Sequence, residues 1–471
     1  MIRPLALMLA STLARLLTAV GVFIVMARVW GAQEFGVFLY PYTIASLVAM
    51  IVDYGYSLQL VRDVGAEPHR VEEIVSRALR VKVVLAAAVL LGVAVAGFFM
   101  SNAREQRVLL VVLTLSTTVN SFAQFLNLPF RGLARFEGET RVVVWANGLH
   151  FVFVCVALAA GAGATAVAFV FLLSRGAYLC LSVIAYRQVP GGMDWMTGTW
   201  SLVGRDLATG LPYGVHVALA TLYFQVDTLL VQYYLGSEGV GLYQAAVRLV
   251  MGAMIVPDVL SNVYLPALAG AHSDPKRVYY LAERMMRHLA AAGLVCLGCF
   301  TFGADILVRT LYGPRYVPLQ SFLPLFGPVV YLRFLGACYG VLLTMSGRQS
   351  VRAAAVIAAF VVSLLGNALV IPKYGLVGAA IAAIFTHLFL NAVYVASVVR
   401  QFHSSFLSVR GAALTAIACV ASLGVLAGPS LTVRGVVLVA LLAIAVGVGI
   451  TGAEGESARN ALRRIVARVP V

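Results

Sequence analysis

The chain alternates long apolar segments with short polar ones, a pattern that predicts membrane-spanning helices. A spanning helix needs about 20 mainly apolar residues at a rise of roughly 1.5 Å per residue. Segments of that length lie near 5–27, 37–60, 81–100, 108–128, 142–160, 164–186, 209–235, 240–266, 289–312, 320–345, 353–371, 376–398, 411–428 and 433–451. The sequence therefore predicts an all-α polytopic membrane protein with about 14 transmembrane helices.

Two polar segments 205 positions apart have similar sequences. The first reads Gly31-Ala-Gln-Glu-Phe-Gly36-Val-Phe and the second Gly236-Ser-Glu-Gly-Val-Gly241-Leu-Tyr. Each joins two apolar segments, and the same offset places Asp53 on Asp258. Parallel duplication of a six-helix unit gives this pattern and is found in transporters. We therefore predict two pseudo-symmetric six-helix bundles around a central cavity, followed by a C-terminal helix pair.

This duplication sets the predicted domain boundaries. They are an N-terminal bundle at 1–186, a cytoplasmic linker at 187–208, a C-terminal bundle at 209–400, helices 13 and 14 at 401–452, and a basic cytoplasmic tail at 453–471. No loop is long enough for a soluble catalytic domain, and the sequence has no P-loop, HExxH or Gly-x-Ser-x-Gly motif. We therefore expect a protein that is not an enzyme and that needs neither a metal ion nor another cofactor.

Composition supports the membrane assignment. Hydrophobic residues make up 61% of the 471 residues, charged residues make up 11%, and the mean hydropathy is +0.94. With the N-terminus in the cytoplasm, the predicted cytoplasmic segments hold 23 lysines and arginines and the opposite side holds 7. The net charge of +15 therefore reflects positive-inside topology, with both termini cytoplasmic, and does not indicate a nucleic-acid partner.

The remaining basic residues lie inside predicted helices. These are Arg15, Arg175, Arg248 and Arg333. An arginine at the middle of a spanning helix costs about 2.5–3.5 kcal/mol if it faces lipid, so we expect these side chains to face the packed interior or a wet cavity. Arg175 has the further alternative of snorkelling to the cytoplasmic edge. Arg62 ends the second span, where positive-inside placement is the default interpretation and gating is a second one.

One face of the seventh predicted span is polar over its whole length. At 100° per residue, His216, Tyr223, Asp227 and Tyr234 fall within about 20° of one line. Asp227 is therefore a candidate for coupling transport to an ion, as are Asp53 and Asp258. The same three aspartates could instead neutralise Arg15 and Arg248 in structural ion pairs.

Several motifs, in order and at this spacing, carry a resemblance to a known family. They are Arg15, Ala27–Phe38, Asp53-Tyr-Gly55, Val61-Arg62, Gln225–Leu230, Gly241–Leu249 and Pro372–Ala380. With these residues the chain resembles the polysaccharide transporter branch of the multidrug/oligosaccharidyl-lipid/polysaccharide exporter superfamily. That branch includes Wzx-type O-antigen flippases and the lipid II flippases.

The resemblance implies a function and a site. Such proteins move undecaprenyl-diphosphate-linked sugars from the cytoplasmic to the outer leaflet by alternating access around a cationic cavity. Matching positions place Arg15 and Arg248 in that cavity and Arg62 near its cytoplasmic mouth. Arg333, His216 and Tyr223 complete the predicted substrate-binding set.

The expected partners are the polyprenyl-diphosphate-linked glycan, membrane lipids, and a polysaccharide polymerase or other assembly proteins. The expected location is the cytoplasmic membrane. A MATE-like cation-coupled antiporter that exports drugs or metabolites is the alternative, and it would need a cavity dominated by carboxylates. A membrane glycan ligase, polymerase or scaffold is a third class, which a long external loop would support.

Overall fold

The computed structural model describes residues 2–99, 104–189, 203–271, 274–403 and 406. Side chains are described for all of these except 2–10, 56–58, 99, 205, 206, 208–221 and 224. Within these ranges the chain is α-helical, with three short 3-10 segments and no strand. The predicted all-α fold is thus confirmed, whereas predicted helices 13 and 14 and the basic tail lie outside the described residues.

Packing divides the chain into two compact units, Met1–Gly252 and Ala253–Val471. The helices of the first unit are α1 Ile2–Trp30, α2 Ala32–Asp53, α3 Tyr56–Ala66, α4 Val71–Phe99, α5 Arg104–Gly132, α6 Phe136–Ala159, α7 Ala164–Tyr186 and most of α8 Val203–Ala253. Those of the second unit are α9 Ile255–Gly270, α10 Pro275–Phe302, α11 Ala304–Leu311, α12 Phe326–Met345 and α13 Gln349–Phe402. The domain boundary at 187–208 stays a prediction.

Ten helices of the described residues are long and apolar enough to cross a membrane. Two of them are much longer than a bilayer requires: Gln225–Gly270, of 46 residues, runs from α8 into α9, and Gln349–Phe402, of 54 residues, is α13. Glycines with positive φ, Gly236 and Gly375, interrupt these two helices between the spans predicted from the sequence. Because each bent helix supplies two spans, the first twelve predicted spans are present.

Three helix boundaries differ from those predicted. The second span breaks into α2 and α3 because Tyr54 and Gly55 both adopt the left-handed conformation, at φ 46° and 71°. The tenth span begins at Phe326 instead of 320, since the preceding residues form 3-10 turns at Pro314–Ser321 and Leu323–Leu325. The third span begins at Val71 instead of 81, since the charged residues before it form the first turns of α4.

The two similar segments of the sequence have the same backbone geometry. Gly31, at the start of α2, has φ 82° and ψ 176°, and Gly236 has φ 69° and ψ −167°. Only glycine adopts such angles without steric cost. Each glycine therefore turns the chain sharply between two spans, at positions 205 residues apart.

These two turns also touch each other through a reciprocal pair of glycines. A Cβ atom added to Gly36 would lie 1.7 Å from the carbonyl oxygen of Ser237. A Cβ atom added to Gly241 would lie 1.9 Å from the carbonyl oxygen of Ala32. Since the offset of 205 maps Ala32 on Ser237 and Gly36 on Gly241, the two contacts are equivalent, and each admits only glycine.

Candidate functional site

The α5–α6 turn brings an arginine and a glutamate together inside the first unit. Arg131 lies in the last turn of α5 and Glu139 in the first turn of α6. Ala134 closes the turn with φ 54°, while Arg135 N donates to Phe130 O at 2.8 Å. Each charge lies at the helix end whose dipole favours it. The local fold therefore pre-positions this ion pair.

Glu139 holds two arginines. Arg131 Nε donates to both carboxylate oxygens at 2.9 Å, and its Nη2 donates to Oε1 at 2.6 Å. Arg15 comes from the middle of α1 and reaches the same Oε1 with Nη1 at 3.4 Å. The Glu139 side chain is 3% exposed, whereas Arg131 and Arg15 are 31% and 28% exposed. The anion is thus sealed and the cations remain partly accessible.

A buried tyrosine on α7 lies beside this pair. Tyr178 is 2% exposed and close enough to interact electrostatically with Arg15, Arg131 and Glu139. Asn127 of α5 donates to Ser182 Oγ at 2.9 Å and contacts Tyr178 Oη at 3.5 Å, which ties α5 to α7. Polar groups from α1, α5, α6 and α7 therefore meet in one place.

Arg175 adds a third guanidinium to this group. It also interacts electrostatically with Tyr178. Three α7 side chains are exposed at 51–65%, namely Phe169, Leu173 and Ile184. At 100° per residue, Arg175 lies roughly 150° from their mean direction. It therefore lies on the face of α7 opposite these exposed side chains, and snorkelling to the cytoplasmic edge stays an alternative.

We call Arg15, Arg131, Glu139, Arg175 and Tyr178 the arginine cluster. Three guanidinium groups against one carboxylate leave two positive charges. Arg175 forms no hydrogen bond or ion pair with any side chain that the structure describes. Uncompensated cations among spanning helices are costly, and they suit an anionic ligand that binds guanidinium groups bidentately.

Arg248 approaches the same helix α1 at a different depth. Its guanidinium carbon lies 4.0 Å from the centroid of the Phe23 ring, and its Nη1 lies 3.5 Å from Met251 Sδ. Phe23 is eight residues beyond Arg15, or roughly 12 Å along the helix axis. The Phe23 ring in turn packs on Tyr42 at 5.2 Å and Phe171 at 6.2 Å. Whether Arg15 and Arg248 bind one ligand together stays a prediction.

The three candidate coupling aspartates have different neighbours from those expected. Asp53 accepts from Lys82 Nζ at 2.7 Å and from Ser121 Oγ. Asp227 accepts from Tyr243 Oη at 2.9 Å, across the Gly236 turn. In the second unit, Asp258 interacts electrostatically with Arg333. The predicted pairing of Arg15 with one of these aspartates is wrong, because Glu139 is its carboxylate partner in the structure.

The other predicted residues are dispersed. Arg62 is 67% exposed on α3, where its Nη2 lies 2.9 Å from Asp63 Oδ1. Tyr223 is buried at 5% exposure, and the side chain of His216 lies outside the described residues. Arg333 interacts electrostatically with His387 as well as with Asp258. The roles of all these residues remain predictions.

Sequence reasoning missed the closest partners in the first unit. The positive-inside rule assigns Arg131 and Lys82 to cytoplasmic loops, but they lie within α5 and α4 and contact carboxylates. A signal is present for Lys82, one of only three lysines in an arginine-rich chain. For Arg131 and Glu139, the signal is their placement on either side of a short interhelical turn.

Comparison with known sequences supports a family assignment. A family model described as "Polysaccharide biosynthesis protein" matches residues 4–272, more than half of the chain. The amylovoran biosynthesis protein AmsL of Erwinia amylovora is 26% identical over 151 residues. That alignment covers 30% of this chain and 38% of the relative's length.

Solved structures share the fold. The lipid II flippase MurJ, in an inward closed conformation, aligns with a TM-score of 0.67 at 11% identity, covering 94% of this chain and 98% of MurJ. A multidrug resistance MATE family transporter of the MOP superfamily, in an inward-facing conformation, aligns with a TM-score of 0.61 at 16% identity. This alignment covers 81% of this chain and 95% of the transporter. These neighbours are transporters, and the likeness establishes the polytopic membrane fold.

Proposed function

Since the chain belongs to the polysaccharide biosynthesis protein family, we propose that it is a flippase for undecaprenyl-diphosphate-linked oligosaccharides. It would carry the lipid-linked glycan across the cytoplasmic membrane by alternating access, with both termini in the cytoplasm. The names of AmsL and MurJ, one an amylovoran biosynthesis protein and the other a lipid II flippase, support this substrate class. In this proposal the protein transports its substrate and does not transform it.

The arginine cluster is the observation that carries the proposal. A diphosphate headgroup is a compact, doubly charged anion, and guanidinium groups bind phosphate oxygens in a planar, bidentate geometry. Arg15 and Arg175 supply such groups in the first unit, where the predicted cavity residues Arg248 and Arg62 would extend the cationic path. Arg333, in the second unit, stays a predicted substrate-binding residue. The lipid tail would remain in the bilayer, so the protein binds chiefly the headgroup and glycan.

The carboxylates argue against the MATE-like alternative. An exporter of organic cations needs anionic side chains that are free to bind the cation, and a carboxylate that is already paired with a cationic side chain is poorly suited to that task. Glu139 is bound by arginines, and Asp53 by Lys82. Asp258 interacts with Arg333. Each of these three carboxylates therefore already has a cationic neighbour.

The test is transport in proteoliposomes that contain the full chain and a fluorescent polyprenyl-diphosphate-linked oligosaccharide. We expect the wild type to equilibrate the substrate between leaflets, and the double variant Arg15→Ala/Arg175→Ala to be slower by about 100-fold or more, because a hydrogen bond to a charged group contributes about 1.5–3 kcal/mol. The matched control is Arg70→Ala, which removes an arginine paired on the surface with Glu67 and Glu73.

Three results would contradict the proposal. They are equal transport by the double variant and the wild type, loss of transport in the Arg70 control to the same degree, and export of organic cations with no movement of the glycan lipid. Expression and membrane insertion are compared first, so that a folding defect is not scored as a transport defect. Polymerase and other assembly proteins are not needed in this assay, which separates flipping from later steps.

A further inference from the structure

Glu139 holds its two arginines with unequal strength. Arg131 makes three contacts of 2.6–2.9 Å and engages both carboxylate oxygens. Arg15 makes one contact of 3.4 Å, to an oxygen that already accepts from Arg131 twice. Charge-assisted hydrogen bonds between guanidinium and carboxylate groups are normally about 2.7–2.9 Å long. Arg131 is therefore the firm partner of Glu139, and Arg15 is the loosely held one.

The unequal contacts of Arg131 and Arg15 matter because Glu139 is buried. A carboxylate that is 3% exposed needs a partner, because an unpaired buried charge is strongly destabilising. Arg131 alone satisfies both oxygens, so Arg15 can leave Glu139 without stranding it. The Arg15 side chain is itself 28% exposed, so it is not sealed against another anion as Glu139 is. Arg15 can thus exchange one anion for another at little cost to the fold.

We propose that Glu139 is an internal counter-anion that competes with the substrate diphosphate for Arg15. This inference rests on the proposed flippase function. When the diphosphate binds, Arg15 moves from Glu139 to a phosphate oxygen, and Arg131 keeps the glutamate neutralised. When the substrate leaves, Glu139 takes Arg15 back, which prevents the cluster from holding the anion too tightly. Arg131 is then a positioning residue that acts through Glu139.

The proposal predicts opposite effects for the two members of the firm pair. Glu139→Gln removes the competitor, so Arg15 is free, the diphosphate binds more tightly and its release slows. Arg131→Ala leaves Glu139 with Arg15 as its main partner, so Arg15 is captured and the diphosphate binds more weakly. The double variant Arg131→Ala/Glu139→Gln has neither the competitor nor its partner, and binding returns.

The experiment uses the full-length protein in nanodiscs, with inorganic pyrophosphate as the competitor of a fluorescent polyprenyl diphosphate. We expect pyrophosphate to bind about 3–10 times more tightly to Glu139→Gln than to the wild type, and about 10 times more weakly to Arg131→Ala. The double variant should bind at least as tightly as the wild type. Turnover in proteoliposomes should fall in Glu139→Gln although pyrophosphate binds more tightly, because release is slower. A structural defect would instead lower both binding and turnover.

The matched control is Glu73→Gln. Glu73 accepts from Arg70 Nε at 3.0 Å and from Nη2 at 2.9 Å, a bidentate pair of the same chemistry on the protein surface. This variant should change neither pyrophosphate binding nor turnover. If Glu139→Gln alone fails to fold, the double variant, which removes the ion pair as a unit, still tests whether binding survives without Glu139.

The outcomes separate the two hypotheses. A wild type that binds neither pyrophosphate nor the polyprenyl diphosphate overturns the proposed function, and the inference with it. A wild type that binds both, with a folded Glu139→Gln of equal or weaker affinity, overturns the inference alone. A double variant that stays as weak as Arg131→Ala also overturns it, because Arg131 would then contact the ligand directly instead of acting through Glu139.

Discussion

Glu139 and Asp53, two carboxylates of the first unit, differ in which member of their ion pair is buried. At Glu139 the anion is 3% exposed and its cationic partners are 28% and 31% exposed. At Asp53 the cation is the sealed member, since Lys82 is 3% exposed and the aspartate side chain is 44% exposed. The rings of Phe122 and Phe125 cover Lys82, at 5.3 and 5.6 Å from Nζ. A ligand would therefore meet positive charge at the first site and negative charge at the second.

The two sites also differ in net charge. Asp53 has one cation and a hydroxyl donor, Ser121, so that site is neutral. In the arginine cluster, Arg131 and Arg15 contact the one carboxylate, Glu139, whereas Arg175 interacts with Tyr178. The cluster therefore keeps a surplus of positive charge. A balanced pair needs no ligand and is explained by its part in packing, where α2 gives way to α3. A surplus of positive charge among spanning helices is costly, and an anionic ligand would offset it.

The largest loss of stability is expected at the Asp53–Lys82 pair, because removing the accessible aspartate leaves the buried lysine without a counter-charge. Asp53→Asn leaves the Lys82 ammonium buried with only neutral acceptors, which should cost about 3–5 kcal/mol in the free energy of unfolding. Thermal unfolding of the purified protein measures this loss. Adding Lys82→Met should restore most of it, and a single variant as stable as the wild type would show that the pair is dispensable.

A smaller loss is expected at the arginine cluster, because Glu139 has a second cation nearby. Arg131→Ala should cost about 1–3 kcal/mol, as Arg15 closes on the carboxylate. Arg15→Ala alone should cost less, and the two together should cost more than the sum of the single losses, since each arginine substitutes for the other. Additive losses in unfolding measurements would contradict this sharing of Glu139.

The variant Arg175→Ala is expected to slow transport without a loss of stability. Because it has no carboxylate partner among the described residues, Arg175→Ala removes an uncompensated charge from the helix interior and should leave the free energy of unfolding equal or higher. Flipping of the lipid-linked glycan should nevertheless slow by about tenfold. A stability loss as large as that of Arg131→Ala would indicate a structural role instead.

The smallest effect is expected for Arg62, outside both sites. Its side chain is 67% exposed and pairs with the adjacent Asp63, and such surface pairs contribute about 0–1 kcal/mol. Arg62→Ala should leave thermal unfolding unchanged and reduce the initial flipping rate about twofold at low salt. At high salt the difference should vanish, as for a charge that steers the substrate. A loss that persists at high salt would assign Arg62 direct contact.

The helices of this fold could be predicted from the sequence, since membrane spans have a length and composition that no other segment shares. The glycine turns were also visible, because Gly31 and Gly236 recur at one offset and a positive φ needs glycine. The break after Asp53 was not, since Tyr54 is not a residue that favours the left-handed region. Boundaries that depend on such a residue are set by tertiary contacts, here a hydrogen bond from Tyr54 Oη to Leu207 O at 2.6 Å.

The site was only partly predictable. Arg15 stood out as a charge inside an apolar span, but its partner did not, because Glu139 lies 124 residues away in a segment that resembles an ordinary cytoplasmic loop. Treating Arg131 as a positive-inside charge concealed its contact with that glutamate. Hydrophobic periodicity shows which residues face inward, whereas the choice of partner depends on which helices are neighbours.

The crossed glycine contacts bear on how the chain arose. Gly36 contacts Ser237 and Gly241 contacts Ala32, so each turn contributes the same two equivalent positions to the contact. Two identical subunits related by a two-fold axis contact each other in the same reciprocal way. A single ancestral repeat could have paired with its own copy through this surface before gene fusion made the pairing permanent. Later divergence would then be freest wherever the two halves no longer had to match, and most restricted at Gly36 and Gly241, whereas Ala32 and Ser237 contribute only backbone atoms and already differ.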